Sequence, residues 1–290
     1  MYKQITANKR KSALLVVIFI SLIIFLGYVI GQATGYGYGG LILAMAISLL
    51  MTLVSYYSGD KIALAASGAQ GPISKNDNPY VYRMVENLCI TAGLPMPKIY
   101  IIPDPAMNAF ATGRDPKHAS IALTQGIIDN LENEELEGVI AHELSHIKNY
   151  DIRLMTLVIV LVGSVTLLAD WFLRWSFFSR SDDRNSNNSI FIIVGLILAI
   201  LSPLFAQLIQ LAISRKREFL ADASAALLTR YPEGLARALE KIANRPNLAR
   251  VNKATAHLFI ASPLSGKSLS RLFSTHPPIE ERIKALRQMA

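Results

Sequence analysis

The sequence predicts a mainly α membrane protein, with four transmembrane helices joined to an α+β domain that carries a small sheet. Three observations predict it. The 290 residues are 52% hydrophobic yet 17% charged, too apolar for an ordinary soluble domain and too charged for a protein buried wholly in lipid. Four apolar runs punctuate the chain, and two stretches of soluble composition lie between and after them. The formal charge is +8, and its cations gather beside apolar runs (Lys9 to Lys11, Arg215 to Arg217) rather than among aromatics, so the partner they imply is a lipid bilayer and no nucleic acid. Cys89 is the single cysteine, which excludes an intrachain disulfide and a cysteine-rich metal site and fits a reducing compartment.

In chain order, Ser12 to Ile30 and Gly40 to Tyr56 are each near the roughly 20 residues a helix needs to cross the hydrocarbon core. The first is longer than the apolar core of a signal peptide and lacks an obvious cleavage pattern, so it reads as a span. The loop from Gln32 to Gly39 has no charge, whereas Lys3, Lys9, Arg10 and Lys11 precede the first span. That bias puts the leading segment in the cytoplasm and returns the chain there at Ser58. Leu154 to Ala169 and Ile190 to Ile213 predict a second hairpin, with Trp171, Trp175, Phe177 and Phe178 at its interface. The third run is short and the fourth carries Pro203, Gln207 and Gln210, so a buried helical pair is the competing reading.

The chain accordingly divides into a membrane hairpin (1–57), a first part of a water-exposed domain (58–153), a second hairpin (154–213) and a second part of that domain (214–290). Pro79 to Ala92 predicts a helix opened by proline, and Lys98 to Ile102 and Ser120 to Thr124 predict short strands. Asn133 as cap and the acidic Glu134-Glu135 predict the start of a further helix, with Leu136, Val139, Ile140 and Ile147 on one face.

That helix carries His142-Glu143-Leu144-Ser145-His146. Residues four apart lie on one helical face, so both imidazoles can bind one ion, and Glu143 is offset towards an open coordination position. Zinc with three protein ligands keeps a fourth position for water, whose proton Glu143 takes and passes to the leaving amine. Two histidines do not make a site. Glu218, in Arg217-Glu218-Phe219-Leu220-Ala221-Asp222, is the acidic candidate for the third ligand, with Asp222 one turn on to accept the N–H of a ligand histidine. Taken alone, the same acids read better as a charged helix face paired to Arg215 or Arg217. Topology supplies a check: an even number of crossings between His146 and Glu218 leaves both on one side, and an odd number destroys the site.

With these motifs and the four apolar runs in this order, the chain resembles the HtpX-type membrane zinc proteases, a group that includes the CAAX prenyl endopeptidases. Asn108-Ala109-Phe110-Ala111-Thr112-Gly113, Glu134-Glu135-Leu136 and Ser274-Thr275-His276-Pro277-Pro278-Ile279-Glu280-Glu281-Arg282 agree with it. The resemblance implies a gluzincin-like peptidase domain holding one zinc on His142, His146 and Glu218, with Glu143 as base and Asp222 behind the ligands. It also implies quality control at the bacterial cytoplasmic membrane under stress, cutting misfolded or damaged membrane proteins. On that reading Asn108, Ala109 and Phe110 hold an extended substrate by its backbone, against the plain alternative of a turn between strands. His276 then donates to the developing oxyanion or approaches the zinc; by itself it reads as a turn residue before Pro-Pro. Arg282 assists or forms a salt bridge, and His118 and His257 have no partner at ligand spacing. A non-enzymatic scaffold with a structural metal has no use for Glu143, and a transporter would place ionisable groups inside the first two runs, where none lie.

Overall fold

The structure, a computed structural model, describes residues 2–33, 35–158, 160–161, 163–164, 197, 215–244, 259–260 and 277–289. Nearly all of the fourth expected span, the loop before it, His257 and His276 lie outside these residues.

Helices α1 (Tyr2–Ala33) and α2 (Tyr38–Ala66) form an antiparallel hairpin. Both are long and apolar enough to cross a membrane, and their outward faces expose Leu14, Phe25, Leu43 and Leu50, as suits a lipid solvent rather than water. Small residues let the two backbones meet. A Cβ on Gly31 would collide with the carbonyl of Gly37, and one on Gly40 would lie 2.6 Å from the Gly27 carbonyl oxygen, so this contact depends on hydrogen-only side chains. Four spans were expected; the two N-terminal ones are present as described. Of the third, residues 154–158, 160–161 and 163–164 are helical, and Leu154, Leu157, Val158 and Leu161 pack on Leu15, Phe19, Ile23 and Leu26 of α1.

At 29 residues, α2 is roughly 43 Å long, more than the roughly 30 Å hydrocarbon core requires. It runs unbroken past the boundary expected at 57/58, and its last turns bury Ala63 and Leu64 against Ile102, Phe110 and Ala122 of the sheet. The last turns of α2 thereby belong to the packing of the soluble part.

Helix α3 (Pro79–Ala92) starts with Pro79 at its first position and Asn78 as cap, whose side chain accepts the N–H of Val81 at 3.1 Å. Strands β1 (Lys98–Ile102), β2 (Ala109–Gly113) and β3 (Ala119–Thr124) make a mixed sheet in the order β1-β3-β2, with β1 parallel and β2 antiparallel to β3. The segment Asn108 to Gly113 is therefore an edge strand and not a plain turn. A short helix α4 (Gln125–Asn130), capped by Thr124, leads to α5 (Asn133–Lys148). Asn133 is the first helical residue of α5 and Glu132 precedes it as the cap, its N–H held by the Glu135 carboxylate at 2.8 Å.

Helix α5 lies at the centre of the core. Leu136, Val139, Ile140, Leu144 and Ile147 are buried among α3, the sheet and the helices α6 (Arg215–Thr229) and α7 (Pro232–Ala243). Each such aliphatic side chain contributes roughly 1.5–3 kcal/mol when withdrawn from water. Helix α8 (Ile279–Arg287) closes the bundle against α6 and α7.

Candidate metal centre and active site

Because α5 is buried all round from Gly138 to Ile147, its polar residues at 142, 143 and 146 are buried as well, and burial of such groups is stable only when they are paired or hold a metal. The Nε2 atoms of His142 and His146 lie 3.1 Å apart. Helix α6 crosses α5 and brings the Glu218 carboxylate 3.8 Å from His142 Nε2 and 3.6 Å from His146 Nε2. All three ligand atoms fall within 4.8 Å of one another. Donors of a tetrahedral zinc site, each about 2.0–2.1 Å from the ion, stand about 3.3 Å apart, so one ion fits between them. His142, His146 and Glu218 are placed to form a metal site.

Charge supports the same conclusion. Glu143, Asp151, Glu218 and Asp222 are buried around the two imidazoles, against the guanidinium groups of Arg217 and Arg282. Among the described residues four carboxylates thus meet two buried cations, with the exposed Lys11 near Asp151 as a further one, surroundings that favour a bound cation. The titration of the residues follows the same field. Burial alone would lower the pKa of His146, but its hydrogen bond to Asp151 and the charges of Glu218 and Glu143 outweigh this and raise it to about 9. Burial raises Glu143 above the ordinary carboxylate range, the histidines and Arg282 opposing it and Glu218 adding to it.

Each ligand histidine is oriented by a carboxylate at its other ring nitrogen. Asp222, one turn beyond Glu218, places Oδ1 2.9 Å from His142 Nδ1. Asp151 places Oδ2 2.9 Å from His146 Nδ1. Such contacts fix the tautomer that turns each Nε2 lone pair towards the ion. The sequence reading found Asp222 through its helical spacing from Glu218 and missed Asp151. The chain leaves the helix after Lys148, and Tyr150 takes a left-handed turn at φ 59°, so helical periodicity does not connect Asp151 to His146.

Arg282, from α8, is fully buried. It grips Asp222 with two bonds, Nε to Oδ2 at 2.9 Å and Nη2 to Oδ1 at 2.7 Å, and reaches within 3.7 Å of Glu218 Oε2. Burial by itself would raise the Asp222 carboxyl, but Arg282 and His142 hold it well below the usual range. Of the two roles the sequence left open for Arg282, the ion pair is present, and it lies against the ligands themselves.

Beside this centre runs the edge of β2. Thr124 N–H donates to Asn108 O, so in the antiparallel register Ala109, Ala111 and Gly113 turn their backbone groups away from β3. On that outer side Ala109 O accepts the N–H of Ile260 at 2.9 Å, Gly113 N–H donates to Thr156 Oγ1 at 3.2 Å, and nothing among the described residues pairs with Ala111. Ile260 O accepts from Arg282 Nη1 at 3.0 Å, tying the edge to the metal centre. Asn108 turns its side-chain oxygen to Ala109 N–H at 3.1 Å, and the Phe110 ring packs on Phe259, centroids 5.1 Å apart. His118 is exposed and pairs with Asp115 at 2.8 Å, away from the site.

The family model for peptidase family M48 matches residues 75–290. The chain belongs to peptidase family M48. It is 49% identical to the protease HtpX homolog of Dictyoglomus turgidum, over 99% of this chain and 94% of that protein. It is 44% identical to the protease HtpX homolog of Lactobacillus helveticus over the full length of both. The crystal structure of S. mikatae Ste24p shares its fold, with a TM-score of 0.53 at 19% identity over 99% of this chain and 67% of that one. An M48 membrane metalloprotease of the HtpX type accounts for the buried His-His-Glu group and the apolar hairpin together.

Proposed function

We propose that the chain is a zinc endopeptidase that hydrolyses peptide bonds of misfolded or damaged membrane proteins at the cytoplasmic face of the bacterial membrane, with Glu143 as its general base. The observation that carries this reading is the convergence of the His142, His146 and Glu218 ligand atoms within 4.8 Å, with Glu143 on the same buried helix.

Zinc held by these residues would supply Lewis acidity at one open coordination position. Glu143 takes the proton of the attacking water and delivers it to the nitrogen of the departing amine, a positioned transfer of about 10²–10⁴-fold in rate. Asp151 and Asp222 hold the imidazoles in place, and Arg282 holds Asp222. On the outer edge of β2 the backbone groups of Ala111 are the ones left for an extended polypeptide among the described residues, and pairing further along displaces Ile260 from Ala109; such pairing favours unfolded segments because folded ones have their backbones already paired. Asn108, Ala109 and Phe110 form and brace that edge; His276 is reserved as a donor to the oxyanion.

The side of the membrane follows from charge. Asn8 of α1 touches Asn149 and Asp151, which supports a site at the end of the hairpin that bears Lys3, Lys9, Arg10 and Lys11, the cytoplasmic end by the excess of cations. The test is cleavage of an unfolded protein by the detergent-purified chain, with and without zinc, beside Glu143→Gln. Zinc-dependent cutting lost in a variant that still binds zinc supports the assignment; equal cutting by the variant removes Glu143 from its role.

A further inference from the structure

A buried asparagine on a membrane helix is costly unless its amide is satisfied. Asn8, near the start of α1, is 3% exposed, and it spends its amide on the far side of the metal centre. Its Nδ2 donates to the backbone oxygen of Asn149, at the end of α5, at 2.9 Å, and to Asp151 Oδ1 at 2.5 Å. Arg217, the neighbour of Glu218, donates to the same oxygen at 2.6 Å. With Oδ1 gripped from two elements, the Asp151 carboxylate is left with one direction for Oδ2, towards His146 Nδ1 at 2.9 Å.

We propose that Asn8 is a positioning residue of the metal centre: by holding Asp151 it sets the ring of His146, so the first membrane helix is a working part of the site as well as an anchor. Three segments distant in the chain meet at one carboxylate. Helix α1 brings the amide, α6 brings Arg217 beside the ligand Glu218, and the turn after α5 brings Asp151 itself. Carboxylates that orient ligand histidines typically govern metal affinity by about 10–100-fold, and a group that orients the carboxylate governs a share of that. Packing of α1 against the peptidase core and retention of the metal are then coupled, so a displaced α1 weakens metal binding even with every ligand in place. The inference rests on His146 as a metal ligand and not on which peptides are cut.

The experiment is zinc affinity of the full-length, detergent-purified chain by competition with a chromogenic chelator, for wild type, Asn8→Leu, Asp151→Asn and the double variant, with Glu218→Ala as control. Leucine keeps the bulk and removes both donors. Expected are a loss of roughly 10–100-fold for Asp151→Asn and about 5-fold or more for Asn8→Leu, with the double variant no weaker than Asp151→Asn alone within about twofold, because Asn8 acts through Asp151. The visible bands of the cobalt-loaded protein should change in Asn8→Leu as the His146 ring tilts. If Asn8 only packs α1 in place, Asn8→Leu lowers the melting temperature of the metal-free protein and leaves zinc affinity within twofold, which overturns the proposal; so do losses that add in the double variant. Should Asn8→Leu not fold, Asn8→Ala gives the same comparison. Wild-type affinity in Glu218→Ala faults the metal site itself and is distinguishable from either result.

Discussion

The hairpin and the peptidase core solve opposite problems with the same helical geometry. In α1 and α2 the large apolar side chains point outwards, Leu14 at 60% and Leu43 at 62% exposed, while Ser12, Ser48 and Ser55 face inwards. In α5 the aliphatic residues face the protein, and His142, Glu143 and His146 are buried among them. The hairpin coheres through close backbone approach at glycine, with little charge inside. The core encloses charges of both signs that depend on one another. Asn8 joins the two, a polar residue of the hairpin whose amide is satisfied by the core, at Asn149 O and Asp151 Oδ1.

If the core depends on mutual charge pairing and the hairpin on small residues, removal of a charge should cost most in the core. Glu218→Ala should abolish tight metal binding, read as metal content after purification and dialysis; full occupancy would place the third ligand elsewhere. Arg282→Ala leaves Asp222 buried without its bidentate partner. Its expected cost is about 3–5 kcal/mol in the metal-free protein, seen as a large fall in melting temperature, and a fall under about 1 kcal/mol would mean that the pair is solvated. In the hairpin, Gly31→Leu should cost about 1–3 kcal/mol by overpacking, measured by denaturant unfolding in detergent. Unchanged stability there would mean that α1 and α2 part without consequence, and the contrast between the regions would fail. The smallest effect concerns Cys89 in α3. Burial raises its thiol to about 11, so at pH 8 iodoacetamide should label it slowly in the folded chain and fully after unfolding. Rapid labelling of the native protein would show that this part of the core is open.

The difference between regions also separates what was legible in the sequence from what was not. The hairpin was legible because bilayer thickness fixes the length of an apolar run, although α2 continues to Ala66 since soluble packing, not lipid, ends it. The strands at Lys98 and Ser120 and the helix from Pro79 followed from turn residues and alternation. His142 and His146 were legible because helical spacing alone puts them on one face. Glu218 was a weaker inference, since the same residue on an isolated helix reads as surface charge; its convergence with the histidines required α6 to cross α5. Asn133 was mistaken for the cap by one position: Glu132 takes that place, its N–H bonded to the Glu135 carboxylate, while Asn133 Oδ1 accepts from Tyr80 OH at 3.3 Å.

By itself the sequence determined the apolar lengths that cross a bilayer, the helical face that carries two imidazoles and a base, and the family those motifs belong to. Each depends on residues within a turn or two of one another, where backbone geometry leaves few choices. Only the tertiary structure decided that Asp151 orients His146, that Arg282 locks Asp222, that Ile260 sits on the edge of β2, and that Asn8 reaches the metal centre from the membrane helix. Those partners are far apart in the chain, and their meeting is fixed by how packed elements cross, which no local spacing encodes.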